Sequence, residues 1–129
     1  MNFWHIQLHP SQAENWTEEN TRKIIETGYI GCSGKPVKIF YQLQIGDVVL
    51  VRYGAKIVGL VEVITLPEKK EEENETLWFS DSCKIKILAF YENIKIGGKG
   101  WYLPTTLQRI DKENQIAFSF IEKLYHEVK

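Results

Sequence analysis

The chain has 129 residues, a formal net charge of −1, 43% hydrophobic residues and 12% aromatic residues. This composition predicts one globular domain, residues 1–129, and excludes a disordered chain; the low net charge argues against a strongly electrostatic nucleic-acid binder. The sequence shows no apolar run of membrane-spanning length and no signal-peptide pattern, so we expect no membrane partner and a cytoplasmic location.

The first predicted element is a strand, FWHIQLHP, which Pro10 ends. Ser11 or Asn15 can then cap a helix in WTEENTRKIIETG, for which Gly28 is a natural end. The next segment, YIGCSGKPVKIF, is rich in glycine and proline, which predicts a loop with a short extended piece at its end. The N-terminal third is therefore expected to run strand, helix, loop.

Residues 44–64, QIGDVVLVRYGAKIVGLVEVI, predict two strands joined by a tight turn. Both faces of the first strand, 48–51, carry valine or leucine, as in a barrel wall that helices cover. Gly59 lies in the middle of the returning strand. A glycine there indicates a bulge, a bend, or the close approach of another group.

The acidic run 67–75 has a net charge of −3 and is expected to be an exposed, mobile loop. CKIKILAFYE alternates lysine with isoleucine and predicts a strand. In IGGKGWYLPTTLQRI we expect a glycine-rich turn, no strand because of Pro104, and a short helical turn at 107–110. QIAFSFIEKLYHEV predicts a helix with one apolar side, formed by Ile116, Phe120, Leu124 and Tyr125.

This order of elements predicts an α+β fold with five or six short strands in a small curved sheet. The chain lacks a nucleophile elbow, a P-loop and a dinucleotide fingerprint. Cys32, Cys83 and the three histidines have no zinc-ligand spacing, so we expect neither a metal nor a cofactor. His5 and His9 lie four apart on the first strand, on one face, which leaves a general base as an alternative.

The tryptophans and the charge distribution say more about function. Trp4 and Trp16 fall on core-facing elements, whereas Trp78 and Trp101 lie beside loops, where an indole can stack on a flat ligand. Residues 76–112 carry a net charge of +3. A mildly basic face can therefore exist on a nearly neutral protein.

Taken in order, FWHIQLHPSQAENW, GYIGCSG, IGDVVLVRYGAKIVGLVEV and KIKILAFYE resemble the EVE and YTH-like branch of the PUA superfamily. The resemblance covers nearly the whole chain. It implies a small, partly open β-barrel with flanking helices, which binds a modified or flipped base in an aromatic-lined pocket. Some domains of this branch read methylated RNA, and others are the N-terminal recognition domains of Mcr-type, modification-dependent restriction GTPases.

Carried over by position, the resemblance implies a base-binding pocket of Leu8, His9, Ser11, Tyr29, Ile30, Gly31, Cys32, Ser33, Trp78, Phe79 and Trp101. Phosphate contacts are expected from Lys35, Lys38, Lys84, Lys86 and Lys99. The YTH pattern has a tryptophan just before Cys-Ser, where this chain has glycine. The pocket is therefore expected to be EVE-like, with fewer aromatic residues than a complete methyl-recognising cage.

The sequence thus predicts a non-enzymatic reader of modified nucleic acid, with DNA favoured over RNA, that acts with or is fused to a GTPase motor and a nuclease subunit. One alternative is an RNA-binding PUA-like module for methylated RNA. Another is a small PUA-like hydrolase or nuclease that uses His5 or His9. A third is a protein-interaction module whose exposed aromatic residues meet a partner chain.

Overall fold

The computed structural model describes residues 1–10, 15–70 and 77–129. The strands and helices of these residues are β1 (Phe3–Gln7), α1 (Glu18–Glu26), β2 (Tyr29–Cys32), α2 (Val37–Phe40), β3 (Val48–Tyr53), β4 (Lys56–Val63), β5 (Glu68–Lys69), β6 (Asp81–Phe90), β7 (Leu107–Ile110) and α3 (Gln115–Val128). The predicted Ser11 cap and most of the acidic run, 71–75, lie outside the described residues.

The described strands form one mixed sheet in the order β2-β6-β4-β3-β1-β7, with β5 paired to β6. β1 and β3 are parallel, and the other neighbours are antiparallel. Residues 54 and 55 make the tight turn between β3 and β4, because Tyr53 pairs with Lys56. The predicted hairpin is confirmed.

The sheet buries apolar side chains on both faces. Val49 and Val51 of β3 belong to a cluster that includes Ile24 and Ile25 of α1, which we call the α1 core. Residues 48 and 50 belong to a second cluster with Ala117, Ile121 and Leu124 of α3, which we call the α3 core. The two-faced apolar pattern in the sequence therefore reflects helices on both sides of the sheet.

The sheet curves into a half-barrel. β2 and β7 are the two ends of the strand order, and the short helix α2, which follows β2, contacts both β2 and β7. The segment after β2 therefore bridges from one edge of the sheet towards the other. The predicted α+β fold, a small and partly open barrel with flanking helices, is confirmed.

The described residues form seven strands, not five or six, because Glu68–Lys69 of the acidic run is not a loop but the strand β5, which pairs with β6. Three other local predictions were wrong. YIGC is not a loop but the edge strand β2, because its backbone pairs with β6. The extended piece predicted at residues 38–40 is part of α2. The helical turn predicted at 107–110 is the strand β7, which pairs with β1 from Leu107 onwards, three residues beyond Pro104. In each case long-range pairing or packing outweighed a local signal.

The C-terminal helix has the predicted bounds but a rotated apolar face. Its buried residues are Ala117, Ile121 and Leu124, whereas Ile116 is exposed. Phe120 and Tyr125 are partly buried against the α3 core. The small Ala117 is fully buried, so the helix presents the 117–121–124 stripe to the sheet.

Gly59 lies next to a β-bulge in β4 and also allows the close approach of α1. Its partner on β3 is Val51, and the next pair is Arg52 with Ile57, so Val58 is the extra residue of a β-bulge. A β-carbon on Gly59 would lie 2.7 Å from Cδ1 of Ile25 in α1. The glycine therefore lets the helix pack tightly on a bent strand.

Adding a methyl group at the glycines of β2 and β4 should destabilise the fold unequally. At Gly31 an added β-carbon would overlap the Phe79 ring and the backbone oxygen of Asp81, which cannot move without breaking the β2–β6 pairing. We expect Gly31→Ala to cost about 1–3 kcal/mol of unfolding free energy, the usual range for overpacking. Gly59→Ala should cost less, because the tip of Ile25 can turn away and the nearest backbone atom, the Ala89 oxygen, would lie 3.1 Å from the added carbon, against 2.4 Å for the Asp81 oxygen at Gly31. Chemical unfolding of both variants measures the difference, and equal losses would contradict this account.

Candidate functional site

The structure brings two of the sequence-predicted segments together at one end of the sheet. Gly31 and Cys32 of β2 pair with Ser82 and Asp81 at the start of β6. The backbone N–H of Ser80 donates to Oγ of Ser33 at 2.7 Å. Residues 31–33 and 78–81 therefore form a single unit, which we call the strand-end site.

The interior of the strand-end site is apolar. Ile30, Cys32 and Phe79 are fully buried in the α1 core, and the Phe79 ring occupies the space where a side chain at position 31 would lie. Burial raises the pKa of Cys32 to about 12, with a smaller contribution from the charge of Asp81. The thiol is therefore neutral, and these residues can offer a ligand only their backbone atoms unless they move.

Trp78 is the predicted aromatic residue nearest to solvent at this site. It is partly buried against the α1 core, and its ring meets that of Phe79 edge-on, with centroids 5.6 Å apart. Its indole Nε1 is buried and has no hydrogen-bond partner in the described part of the chain. A buried indole N–H normally has an acceptor, and within the described residues this one has none. Because the atom is buried, a ligand reaches it only when the ring shifts.

The site also contains a carboxylate that the sequence analysis missed. Asp81 is 8% exposed, and its two oxygens accept hydrogen bonds from the hydroxyls of Tyr41 and Ser80, each at 2.6 Å. Nothing in the sequence linked positions 41 and 81, which lie forty residues apart. A polar residue at the start of the apolar strand β6 was the only signal.

The end of β1 carries a second aromatic group. His9 lies beyond the strand, and its ring contacts those of Trp16 and Tyr53, at centroid distances of 6.2 and 5.6 Å. Tyr53 donates its hydroxyl hydrogen to the Trp16 carbonyl. Leu8 is fully buried in the α1 core, and its carbonyl accepts from Thr21. Ser11 lies outside the described residues.

Trp101 lies on the other side of the sheet from Trp78. Its ring contacts His5 and Phe120, and it packs against the α3 core. Lys99 belongs to the same loop, which approaches Ile116 at the start of α3. The structure therefore does not bring Trp101 or Lys99 to the strand-end site.

The other predicted phosphate-binding lysines are exposed. Lys35 and Lys38 follow the strand-end site directly in the chain, the second of them in α2. Lys84 and Lys86 alternate along β6 with the buried Cys83 and Ile85, so they share the opposite face of that strand. Tyr29 is partly buried and pairs with residue 84, which places its side chain beside these lysines.

His5 and His9 lie in different surroundings, His5 inside the sheet and His9 beyond the end of β1. His5 is fully buried within the sheet, where Nδ1 accepts from Arg52 and Nε2 lies 2.9 Å from Gln108. Burial lowers its pKa to about 4; the hydrogen bond with Gln108 opposes this shift, and the charge of Arg52 adds to it. The two histidines have separate partners, and the buried one is held neutral in a structural network.

Two cavities, of about 350 and 340 Å³, lie elsewhere on the surface. The first is next to the start of α1 and the turn after β6, and the second lies between the N-terminus, the end of β7 and α3. Neither is lined by a residue of the predicted pocket. Among the described residues, no helix combines the length and apolarity that crossing a bilayer requires.

The fold is shared with solved structures despite very low sequence identity. A YTH domain of Zygosaccharomyces rouxii MRB1 protein, in complex with N6-methyladenosine RNA, has a TM-score of 0.61 and 11% identity, covering 93% of this chain and 85% of that one. Human THYN1 protein, in complex with 5-methylcytosine-containing DNA, has a TM-score of 0.53 and 11% identity, with coverage of 96% and 97%. A hypothetical protein from Leishmania major has a TM-score of 0.57 and 11% identity, covering 98% of this chain and 96% of that one.

No family model matches the sequence, and the search of curated proteins gives no significant match. The structural likeness nevertheless spans nearly the whole chain, and it extends to both the YTH domain and THYN1. The chain therefore has the YTH/EVE-like fold, a partly open α+β barrel with flanking helices.

Proposed function

We propose that this chain is a reader of modified nucleic acid that holds one modified base at the strand-end site, residues 31–33 and 78–81. The observation that carries the proposal is the fold, which is shared with two structures that hold methylated nucleic acid, one RNA and one DNA. Trp78 supports the location, because it is a partly buried aromatic residue at the site whose indole N–H has no partner among the described residues.

The base is flipped out of its stack before it reaches the site. Extrusion costs a few kcal/mol, and least where the base is damaged, mismatched or single-stranded. Stacking on Trp78 and hydrogen bonds from the backbone of 31–33 offset this cost, and the exposed Lys35, Lys38, Lys84 and Lys86 contact phosphates. Few phosphate contacts on a chain with a net charge of −1 give weak affinity for unmodified duplex and a shallow salt dependence.

A titration against matched oligonucleotides tests the proposal. The ligands are DNA with and without 5-methylcytosine and RNA with and without N6-methyladenosine, each as a single strand and a duplex. We expect one modified ligand to bind more tightly than its unmodified counterpart, with DNA favoured. If no ligand binds with a Kd below about 1 mM, where affinity becomes negligible, the proposal is wrong.

Trp78→Ala should weaken binding without unfolding the protein. Loss of base–aromatic stacking costs roughly 1–3 kcal/mol, which is about fivefold to more than a hundredfold in Kd. The partly buried Trp78 should cost less stability than the fully buried Trp4, for which truncation typically costs about 3–5 kcal/mol. Thermal melting and oligonucleotide affinity of the two variants measure both quantities.

Trp101→Ala is the matched control for the location of the site. Trp101 lies on the α3 side of the sheet, so its truncation should leave the affinity of the folded protein unchanged. A loss of affinity in well-folded Trp101→Ala with none in Trp78→Ala would move the site to the opposite face.

We further infer that the chain acts without catalysis, in the cytoplasm, as the recognition module of a modification-dependent restriction system. The support is the resemblance of its motifs to the N-terminal domains of Mcr-type GTPases. The expected partners are a GTPase motor and a nuclease subunit. Stimulation of the motor's GTP hydrolysis by modified DNA only when this chain is present tests this role. Tighter binding of methylated RNA than of DNA would favour the RNA reader.

A further inference from the structure

Tyr41 combines an exposed ring with a fixed hydroxyl. The residue ends the short helix α2 and is 44% exposed. Its hydroxyl donates to Oδ1 of Asp81 at 2.6 Å, and its ring lies perpendicular to that of the fully buried Phe40. An exposed tyrosine usually keeps its rotamer freedom, whereas this one is held at its far end.

The acceptor that holds Tyr41 belongs to the strand-end site. Asp81 pairs with Cys32 across the β2–β6 ladder, and its other oxygen accepts from Ser80, whose N–H donates to Ser33. The hydrogen bond to Asp81 is the main cause that raises the pKa of Tyr41 to about 12, so the phenol remains a neutral donor in ordinary buffers. The ring is therefore connected rigidly to the residues of the site.

A ring held in this way suits stacking. Immobilising a side chain on binding costs roughly 0.5–1.5 kcal/mol, and a ring that is already fixed avoids most of that cost. Lys38 precedes Tyr41 by three residues on the same helical turn, which places the two side chains on one face, and Lys35 is also exposed. An exposed flat ring with the Lys38 cation on the same face complements a base and its phosphate. The carboxylates of Asp81 and Glu68 also act on the Tyr41 hydroxyl, so the lysine offsets their charge.

We propose that Tyr41 is a stacking platform for the nucleotide next to the one held at the strand-end site. This inference rests on the proposed function and extends it: the ligand is an unpaired stretch of at least two nucleotides, and the flanking base contributes to affinity. No local signal in the sequence predicts a role for Tyr41, because its position beside the site depends on the long-range contact with Asp81.

A double-mutant cycle, with Tyr41 changed in the protein and the flanking base removed from the ligand, tests the platform directly. The probes are single-stranded pentanucleotides with a central 5-methylcytosine in DNA or N6-methyladenosine in RNA, and the same strands with an abasic residue 5′ or 3′ of the centre. An abasic residue keeps the phosphate and removes the stacking base. We expect Tyr41→Leu to weaken binding of the intact strand about fivefold or more, the lower end of a stacking loss, and to have no effect on one of the two abasic strands.

Further variants separate stacking from a structural role. Tyr41→Phe keeps the ring and removes the hydrogen bond that fixes it, so its loss of affinity should be smaller than that of Tyr41→Leu. Tyr102→Leu removes a 61% exposed tyrosine of the loop after Trp101 and serves as the matched control, with no expected change. Lys38→Ala should reduce the slope of log K against log salt by about 0.7, the value for one phosphate of a single strand, whereas the exposed Lys123→Ala of α3 should not.

These measurements distinguish failure of the Tyr41 platform from failure of the reader proposal. Equal weakening of the intact and both abasic strands by Tyr41→Leu would mean that Tyr41 only ties α2 to β6, and would overturn the platform. Unchanged affinity of Tyr41→Leu for the intact strand would also overturn the platform. In either case, binding of the modified strand by the wild-type protein would still support the reader proposal. Absence of binding by the wild-type protein would remove both.

Discussion

Replacing Arg52 with methionine should lower the free energy of unfolding by about 3–5 kcal/mol, because it leaves one buried and four partly buried acceptors without their donor, and a fully buried acceptor left unpaired costs roughly 1–3 kcal/mol. Arg52 is 1% exposed. Its five N–H groups all have acceptors: His5 Nδ1, Gln7 Oε1 and the carbonyls of Gly54, Leu103 and Thr105. Burial lowers its pKa to about 10, so the group stays charged at neutral pH and depends on these partners. Urea unfolding of the variant measures the loss.

Two further arginine variants make the test specific. Arg109 lies on β7, which β1 separates from the strand of Arg52, and it is exposed, so Arg109→Met should change stability by no more than about 0.5 kcal/mol. Arg52→Lys keeps the charge but offers three donors without the planar fork, so it should recover only part of the stability. A loss below about 1 kcal/mol in Arg52→Met would mean that water replaces the guanidinium, and the network would not matter for folding.

The second large effect is a loss of stability in mild acid. Burial lowers the pKa of His5 from 6.5 to about 4, so the unfolded chain binds the proton more readily than the folded one. The stabilisation is fully present above pH 6.5 and is lost as the pH falls towards 4. The shift corresponds to about 3 kcal/mol at the rate of 1.36 kcal/mol per pKa unit.

The pH effect of His5 is measured as a difference between proteins, because carboxylates also titrate in this range. Urea unfolding at pH 7 and pH 4 should show a smaller acid loss in His5→Gln, which cannot titrate, than in the wild type. His126→Gln, which changes an exposed residue of α3, is the matched control. A titration of the His5 ring followed by NMR with a midpoint near 6.5 would contradict the prediction directly.

The sequence alone determined the hairpin, the C-terminal helix and the fold class. β3 and β4 follow from apolar runs on either side of a glycine-containing turn, and α3 follows from helical periodicity bounded by polar residues. These signals are local, because a strand or helix of this length shows its own pattern within a few residues. Because both faces of β3 are apolar, the sequence also predicted that helices cover the sheet.

Part of the candidate site could also be predicted from the sequence. Ser33 and Trp78 were predicted to line one pocket, and the pairing of β2 with β6 brings their segments together. Trp101 was predicted from the same kind of local signal, an indole beside a loop. It lies on the opposite face, because the register and curvature of the sheet decide on which side a loop folds.

Only the tertiary structure decided the long-range polar contacts, at the site and within the sheet. Two hydrogen bonds join residues at least forty positions apart in the chain: Tyr41 with Asp81, and Arg52 with His5. The first forms because α2 folds across the sheet edge, and the second because the two strands are neighbours. Asp47 likewise accepts from Trp4 at 2.9 Å because β1 pairs with β3. The sequence pattern predicts which faces of an element are apolar and where the chain turns, but a buried hydrogen bond depends on strand order and register. Those features are set by packing of the whole sheet, and they determine which polar side chains find a partner.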